Sequence, residues 1–512
     1  MNLPVAGLVE GENVLAVEIH QSSPTSSDIS FDAELIAGAG GPLLNRGPYL
    51  QSGAPTSVTV CWRTDDQADG RVWYGLSPDV LDTVVDDPAS VLRHSVPLTG
   101  LSPGTTYYYA VGTSAGVLRG GDATYRFTTA PPAGTRQPAR VWVIGDSGTA
   151  DANAAAVLAR YRQHVDGEPA QVWLMLGDNA YNSGTQAEFD VAVFDMYPQV
   201  LRDTVLWPTL GNHDAMSADS PSESGPYYSI FVLPRDGEAG GVPSGTEAYY
   251  SFDYANVHFI CLDSEDSDRS AGGAMMTWLA ADLADTLQDW IIAFWHHPPY
   301  SKGSHDSDDP ADSGGRMRDM REIALPILEA GGVDLVLTGH SHSYERSYLL
   351  NGHYDVSATL DPGTMILDGG DGDPGGDGAY RKLEDTSNAG TVYAVAGSSG
   401  QTGGGPLNHP VMHVSLNTLG SMLLDIDDNR LHAAFLDADG AVRDSFAIVH
   451  TPECLGDLDR DGRVGIADLS ALLGNFGDTS GMTHQDGDLD GDQAVTLPDL
   501  SALLSDYGTA CP

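Results

Sequence analysis

Val141-Trp142-Val143-Ile144-Gly145-Asp146-Ser147-Gly148 decides how this chain reads: four bulky or β-branched residues run into a glycine, and a carboxylate follows at once. A short apolar run that stops at glycine reads as a buried strand, and a donor just past its end sits where open α/β sheets gather ligands. The same grammar recurs downstream. Val172-Trp173-Leu174-Met175-Leu176 leads into Gly177-Asp178-Asn179-Ala180-Tyr181, Trp290-Ile291-Ile292-Ala293-Phe294 into Trp295-His296-His297-Pro298, and Leu335-Val336-Leu337 into Gly339-His340-Ser341-His342. Gly211-Asn212-His213-Asp214 is a fifth such segment. Any one of them says little. Jointly they predict hard oxygen and imidazole donors brought together at strand ends, the ligand set of a two-metal hydrolase.

The five segments, in this order, resemble those of the calcineurin-like metallophosphoesterases, and more closely those of the purple acid phosphatases, over roughly residues 45 to 450. One exchange carries the closer resemblance. The wider superfamily has Asp-x-His in its first motif, whereas the position two after Asp146 is Gly148; the purple acid phosphatases place a tyrosine three residues after the second aspartate, and Tyr181 stands there. The resemblance implies that Asp146, Tyr181 and His342 bind a first metal, that Asn212, His296 and His340 bind a second, and that Asp178 bridges the two. A phenolate is a hard anionic donor, so the first ion is expected to be Fe(III), and the Asn/His₂ set suits divalent Zn, Fe or Mn.

Such a centre suits phosphoryl transfer, because hydroxide generated at the metals attacks phosphorus while both ions neutralise charge on the phosphoryl oxygens. The leaving alkoxide also needs a proton. His213, which follows Asn212, matches the superfamily's catalytic histidine that is not a ligand. His305 lies nine residues after His296, where the plant enzymes carry the first of two substrate-facing histidines; the second is Asp306 in this chain. A carboxylate there repels a phosphate dianion unless it holds His305 in place. His297 reads as structural, since Tyr300 sets the register of a His-x-Pro-x-Tyr pattern in which the first histidine is the ligand.

Composition fits a multidomain exported protein. At 512 residues the chain exceeds one hydrophobic core, and 72 acidic against 24 basic residues give a net charge of −48. Nucleic acid and anionic membranes repel such a chain, so no nucleic-acid binding is expected. No apolar run reaches the about 18 residues of a membrane span. Cys61 and Cys261 sit inside apolar strands and read as buried thiols, whereas Cys454 and Cys511 bracket the C-terminal segment, where a disulfide is sensible in an oxidising compartment. The expected location is secreted or cell-surface.

The expected architecture is multidomain: an all-β N-terminal sandwich, an α/β four-layer metallophosphoesterase in which helices flank a β-sandwich, and a small α calcium-binding C-terminal repeat. Residues 1–40 contain one strand-like run, Asn13-Val14-Leu15-Ala16-Val17-Glu18-Ile19-His20, and read as a truncated β-sandwich remnant or an extension. Residues 44–132 alternate as strands, and Leu98-Thr99-Gly100-Leu101-Ser102-Pro103-Gly104 before the Tyr107-Tyr108-Tyr109 run resembles the turn of fibronectin type III folds, as in the N-terminal domain of plant purple acid phosphatases. The catalytic domain is expected over 138–450, and its Gly/Asp-rich stretch at 367–377 reads as a solvated loop, with a substrate gate or a calcium site as the alternatives.

Residues 454–512 are a duplicated unit. Asp457-Leu458-Asp459-Arg460-Asp461-Gly462 and Asp488-Leu489-Asp490-Gly491-Asp492-Gln493 open two twelve-residue loops that end at Asp468 and Asp499. Carboxylates at loop positions 1, 3, 5 and 12, with the position-7 carbonyls of Arg463 and Ala494, suit Ca²⁺. Each loop is followed by one apolar helix pattern, Leu469, Leu472, Leu473, Phe476 and then Leu500, Leu503, Leu504, Tyr507. This arrangement resembles dockerin modules, which implies a cohesin-like protein partner. Two classes of function follow: a secreted phosphohydrolase acting on phosphate monoesters, with phosphodiesterase or nucleotidase as the alternative inside that class, or a surface-attached scaffold whose phosphatase domain is idle.

Overall fold

Strands at the centre of the molecule are apolar on both faces because both faces are covered. The computed structural model describes residues 41–383, 386–451, 455–459 and 463–509. The chain is multidomain, with an N-terminal β-sandwich followed by an α/β fold. In the sandwich, the long strand Ser57–Gly75 pairs with Thr83–Thr99 along its length, with Leu44–Ala54 over its first half and with Thr106–Thr113 over its second; irregular register near Ala68 separates the halves. Leu50, Val60, Trp62, Val72, Leu98, Tyr109 and Phe127 fill its core.

Two sheets form the larger fold. In one, Ala139–Ile144, Val172–Met175 and Val205–Pro208 run parallel, and Gly420–Asp427, Arg430–Asp437 and Val442–Thr451 extend them antiparallel. In the other, Val257–Cys261, Trp290–Trp295, Leu335–Thr338 and Val392–Ala396 are parallel neighbours. The sheets meet through stacked aromatics: Trp207 lies on Phe252 with ring centroids 3.7 Å apart, and Tyr344 on Phe435 at 4.1 Å. Helices cover the outside. Helix Ala152–Val165, capped by the Asp151 carboxylate on Asn153 N and Ala154 N, lays Tyr161 on Trp142 at 4.0 Å. Helix Ala274–Asp285 buries Met275, Met276, Trp278 and Leu279 on the other side. Each fully buried apolar side chain of this kind contributes roughly 1.5–3 kcal/mol, and this core holds the strand ends still.

Leu50 pairs with Val205 in parallel, so the sandwich and the catalytic sheet are hydrogen-bonded into one continuous sheet. The C-terminal repeat builds a small core from Leu458, Val464, Leu472, Leu489, Val495 and Leu503 between helices Ile466–Asn475 and Leu497–Asp506. Within the duplicated apolar pattern Leu472 and Leu503 are buried, while Leu473, Phe476, Leu504 and Tyr507 are exposed. Arg430 Nη1 donates to the Gly491 carbonyl at 3.0 Å and ties this repeat to the catalytic sheet. The Gly/Asp-rich stretch bonds to itself, Asp377 Oδ1 accepting from Asp371 N and Asp371 Oδ1 from Asp373 N. Cys61 and Cys261 are buried free thiols. The strand read at 13–20, the Cys454–Cys511 disulfide and Asp461 lie outside the described residues. Among the described residues no helix is long and apolar enough to cross a membrane.

Candidate metal centre

Five tight turns, each leaving the C-terminal end of a strand, bring the seven predicted donors together. Asp146, Asp178 and His340 take positive φ values of 54°, 51° and 65°. Left-handed backbone costs a non-glycine residue about 1 kcal/mol or more, and it is tolerated where the fold over-determines the turn. Here it turns each side chain inward directly after its strand. Glycines make room between the turns: a Cβ on Gly211 would lie 2.0 Å from Asp178 N, and one on Gly148 would lie 2.5 Å from Ala180 N. At the site where the wider superfamily has histidine, any side chain would collide with the segment that carries Asp178 and Tyr181. Gly148 N donates to Asp178 O and Tyr181 N donates to Gly148 O, which locks the two turns face to face.

The donors fall into two groups. In the first, Tyr181 Oη lies 3.1 Å from Asp146 Oδ1, 3.0 Å from Asp178 Oδ2 and 3.4 Å from His342 Nε2. In the second, His296 Nε2 lies 3.0 Å from Asn212 Oδ1, 3.2 Å from His340 Nδ1 and 3.5 Å from Asp178 Oδ1. Donors bound to one ion at about 2.1 Å stand about 3.0–3.4 Å apart, so both spacings fit a coordination shell. The tautomers agree. His296 Nδ1 donates to the Leu176 carbonyl at 2.8 Å, which leaves its Nε2 lone pair facing inward. Asp178 sends one oxygen to each group.

Electrostatics point the same way. Burial and the Asp146 charge push Asp178 up against the pull of His296 and His213. Burial, then Asp146 and Asp178, hold Tyr181 well above the usual phenol range. Burial alone lowers His296, but Asp178 and Asp146 outweigh it and raise it; burial and the surrounding histidines push His340 far down. Two buried carboxylates and a phenol at one place favour bound positive charge there, which a metal ion could supply.

His213 is part-exposed beside the centre: its backbone N–H donates to Asp178 Oδ1, and its Nδ1 donates to the Asn182 carbonyl at 2.7 Å. His305 stacks on His340 with centroids 3.9 Å apart. Asp306 does not hold His305. Its carboxylate pairs with Lys302, Nζ to Oδ1 3.2 Å, and Asp312 is the group that accepts from His305 Nδ1, at 2.8 Å. His297 is buried between Ser264, 3.0 Å from Nδ1, and Glu265, and faces the His340 ring. Sequence reading passed over Asp214, which is fully buried and accepts from Asn179 N, Ala180 N and Gly211 N, tying the Asp178 turn to the Asn212 turn. It also missed Gln401, 3.3 Å from His342 Nε2, and the pair Asp312–Ser313.

Residues 139–344 match the calcineurin-like phosphoesterase family, and residues 46–129 match the purple acid phosphatase N-terminal domain. The chain is a purple acid phosphatase-like metallophosphoesterase. It is 29% identical over 359 residues to purple acid phosphatase 18 of Arabidopsis thaliana, a match spanning 66% of this chain and 73% of that protein. To purple acid phosphatase 15 of the same plant it is 28% identical over 312 residues, 55% of this chain and 54% of the relative, so the match spans about half of that relative's length. Among solved structures, the purple acid phosphatase PPD1 from yellow lupin (Lupinus luteus) seeds superposes with a TM-score of 0.59 at 18% identity, covering 80% of this chain and 74% of that one. PhoD superposes at 0.54 and 13% identity, covering 81% and 92%. These likenesses, with the phosphoesterase match, make this purple acid phosphatase-like chain a phosphoester hydrolase, and the family implies a dinuclear centre with iron.

In the C-terminal repeat, Asp457, Asp459 and Asp468 form one cluster of carboxylates and Asp488, Asp490 and Asp492 another. Asp468 Oδ1 accepts from Leu458 N and Asp459 N, and Asp499 Oδ1 from Leu489 N and Asp490 N, so the position-12 carboxylate closes each loop identically. Arg463 and Ala494 occupy the seventh loop positions. Gln493 has φ 68°, the conformation glycine normally supplies at that point.

Proposed function

We propose that this protein hydrolyses phosphate monoesters at a dinuclear centre in which Asp146, Tyr181 and His342 hold Fe(III), Asn212, His296 and His340 hold a divalent Zn, Fe or Mn ion, and Asp178 belongs to both. The observation that carries the reading is the division of Asp178: Oδ2 faces Tyr181 at 3.0 Å and Oδ1 faces His296 at 3.5 Å. When bound, the two ions supply Lewis acidity to the phosphoryl oxygens and lower the pKa of water.

The chain's own residues do the rest. The Leu176 carbonyl fixes His296 in the tautomer that presents Nε2. His213 and His305 both commit Nδ1 to an acceptor, Asn182 O and Asp312 Oδ1, and so present Nε2 to the cleft. Each is placed to donate a proton to the departing alkoxide. Asp306 shares Lys302 with Asp308, so part of its charge is offset and its repulsion of the phosphate is reduced. The C-terminal repeat binds two Ca²⁺ ions in this reading, through Asp457, Asp459, Asp461, Asp468 and the Arg463 carbonyl, and through Asp488, Asp490, Asp492, Asp499 and the Ala494 carbonyl, and it attaches the exported enzyme to a cohesin-like partner. Metal analysis with a visible spectrum tests the centre: two ions per chain and a broad phenolate-to-iron band are expected, and fewer than two tightly held ions would overturn the reading.

A further inference from the structure

One carboxylate joins the two halves of the cleft. Asp312 opens the turn Asp312–Gly315, in which Ser313, Gly314 and Gly315 take successive φ values of 52°, 63° and 85°. Three left-handed residues in a row bend the chain sharply, and Arg316 braces the bend by donating Nη1 to the Ser313 carbonyl at 2.9 Å while pairing with Glu265 at 2.7 Å. The bend aims both side chains at the site. Asp312 Oδ1 accepts from His305 Nδ1 at 2.8 Å and from Ser313 Oγ at 2.8 Å, and Oδ2 accepts from Asp306 N at 2.8 Å. Ser313 Oγ, whose hydrogen is donated in the bond to Asp312, accepts from His340 Nε2 at 2.6 Å. The proton on Nε2 leaves the His340 Nδ1 lone pair pointing at His296 Nε2, 3.2 Å away.

We propose that Asp312 is a positioning residue which, directly, holds His305 with Nε2 toward the leaving group and, through Ser313, holds the His340 ring with Nδ1 toward the second metal position. The inference rests on His305 being a proton donor, as read above. A carboxylate suits the place better than a neutral acceptor. His305 rides on a part-exposed loop, and only a charged, bidentate acceptor can bind its ring and also pin the backbone N–H of the next residue. The stacked rings, 3.9 Å apart at 23°, then move as a unit, so one anchor sets the proton donor and the ligand together.

The test uses the metal-loaded full chain with Asp312→Asn, Ser313→Ala, His305→Ala and the double variant His305→Ala/Asp312→Asn. Turnover is measured on an alkyl phosphate and on an activated aryl phosphate, and retention of the second metal is measured by chelator competition. His305→Ala is expected to slow the alkyl ester about 100-fold or more and the aryl ester far less. Asp312→Asn should reproduce that selectivity at about 10-fold or more in kcat with KM little changed, and the double variant should be no slower than His305→Ala alone. Ser313→Ala should weaken retention of the second metal about 10-fold, the usual effect of removing a group that orients a ligand. A selective loss in His305→Ala that Asp312→Asn does not share, or multiplicative losses in the double variant, would overturn the proposal and leave the reading of His305 standing. Equal losses on both esters in His305→Ala would overturn both. Should Asp312→Asn fail to fold, Ser313→Ala decides alone, and unchanged metal retention sinks the link.

Discussion

Gly148→Ala is the sharpest perturbation of the centre, because it adds one methyl group at a position whose φ any residue can adopt. The added Cβ would meet Ala180 N at 2.5 Å, Asn179 C at 2.5 Å and Asp178 O at 2.6 Å, all of them backbone atoms. Ordinary contact begins near about 3.4 Å and the tightest tolerated contact near about 3.0 Å, so the 178–181 segment must retreat by about 0.5 to 0.9 Å. Ligand distances in a working metal site hold to about ±0.2 Å. Asp178 and Tyr181 therefore leave coordination range together, although the substitution touches no ligand. Overpacking of this kind costs about 1–3 kcal/mol, which the large core can absorb. The expected variant is folded, colourless and depleted in metal. Thermal unfolding, metal analysis and the visible spectrum read this out. Gly148→His, which restores the superfamily's Asp-x-His, should fail equally and should not rescue Tyr181→Phe. A Gly148→Ala protein with two ions and an unshifted band would refute the claim that close packing excludes a side chain there.

Tyr181→Phe should remove the visible band and weaken the first metal, since the phenolate oxygen is lost while the ring still fits beside His213; a retained band would assign the colour elsewhere. His258 is held by Asp253 at 2.8 Å and Asp282 at 2.9 Å, and although burial lowers it, these two carboxylates raise it to about 9. A raised histidine stabilises the fold fully below its unfolded value near about 6.5, and that stability is lost as pH rises through about 9, an effect of about 3 kcal/mol. The stability difference between wild type and His258→Gln should therefore shrink from pH 6.5 to 9.5 in denaturant titrations, and a constant difference would refute it. Gln493→Gly relieves a left-handed residue and should tighten the second calcium site by about 1 kcal/mol, roughly fivefold in calorimetry; an unchanged affinity would mean that the turn is not strained.

The sequence alone determined the order of buried strands and the donors at their ends, because a strand covered on both faces must be apolar throughout and must stop where a turn begins. It also carried the exchange of Tyr181 for a histidine at Gly148, and the duplicated C-terminal loops, since a repeat is visible without any structure. Only the tertiary structure decided which polar groups meet across loops. Asp306 adjoins His305 in the chain, yet Asp312, seven residues on, is its partner, because a run of left-handed residues folds the loop back. Asp214 stood inside a motif without a legible role until the Asp178 and Asn212 turns were seen to close on its carboxylate. The splitting of Asp178 between two donor groups and the intolerance of a Cβ at Gly148 likewise depend on how separate turns face one another. Periodicity reports burial along one segment; hydrogen-bond partnership between polar loops depends on distances between segments, and no local pattern encodes those.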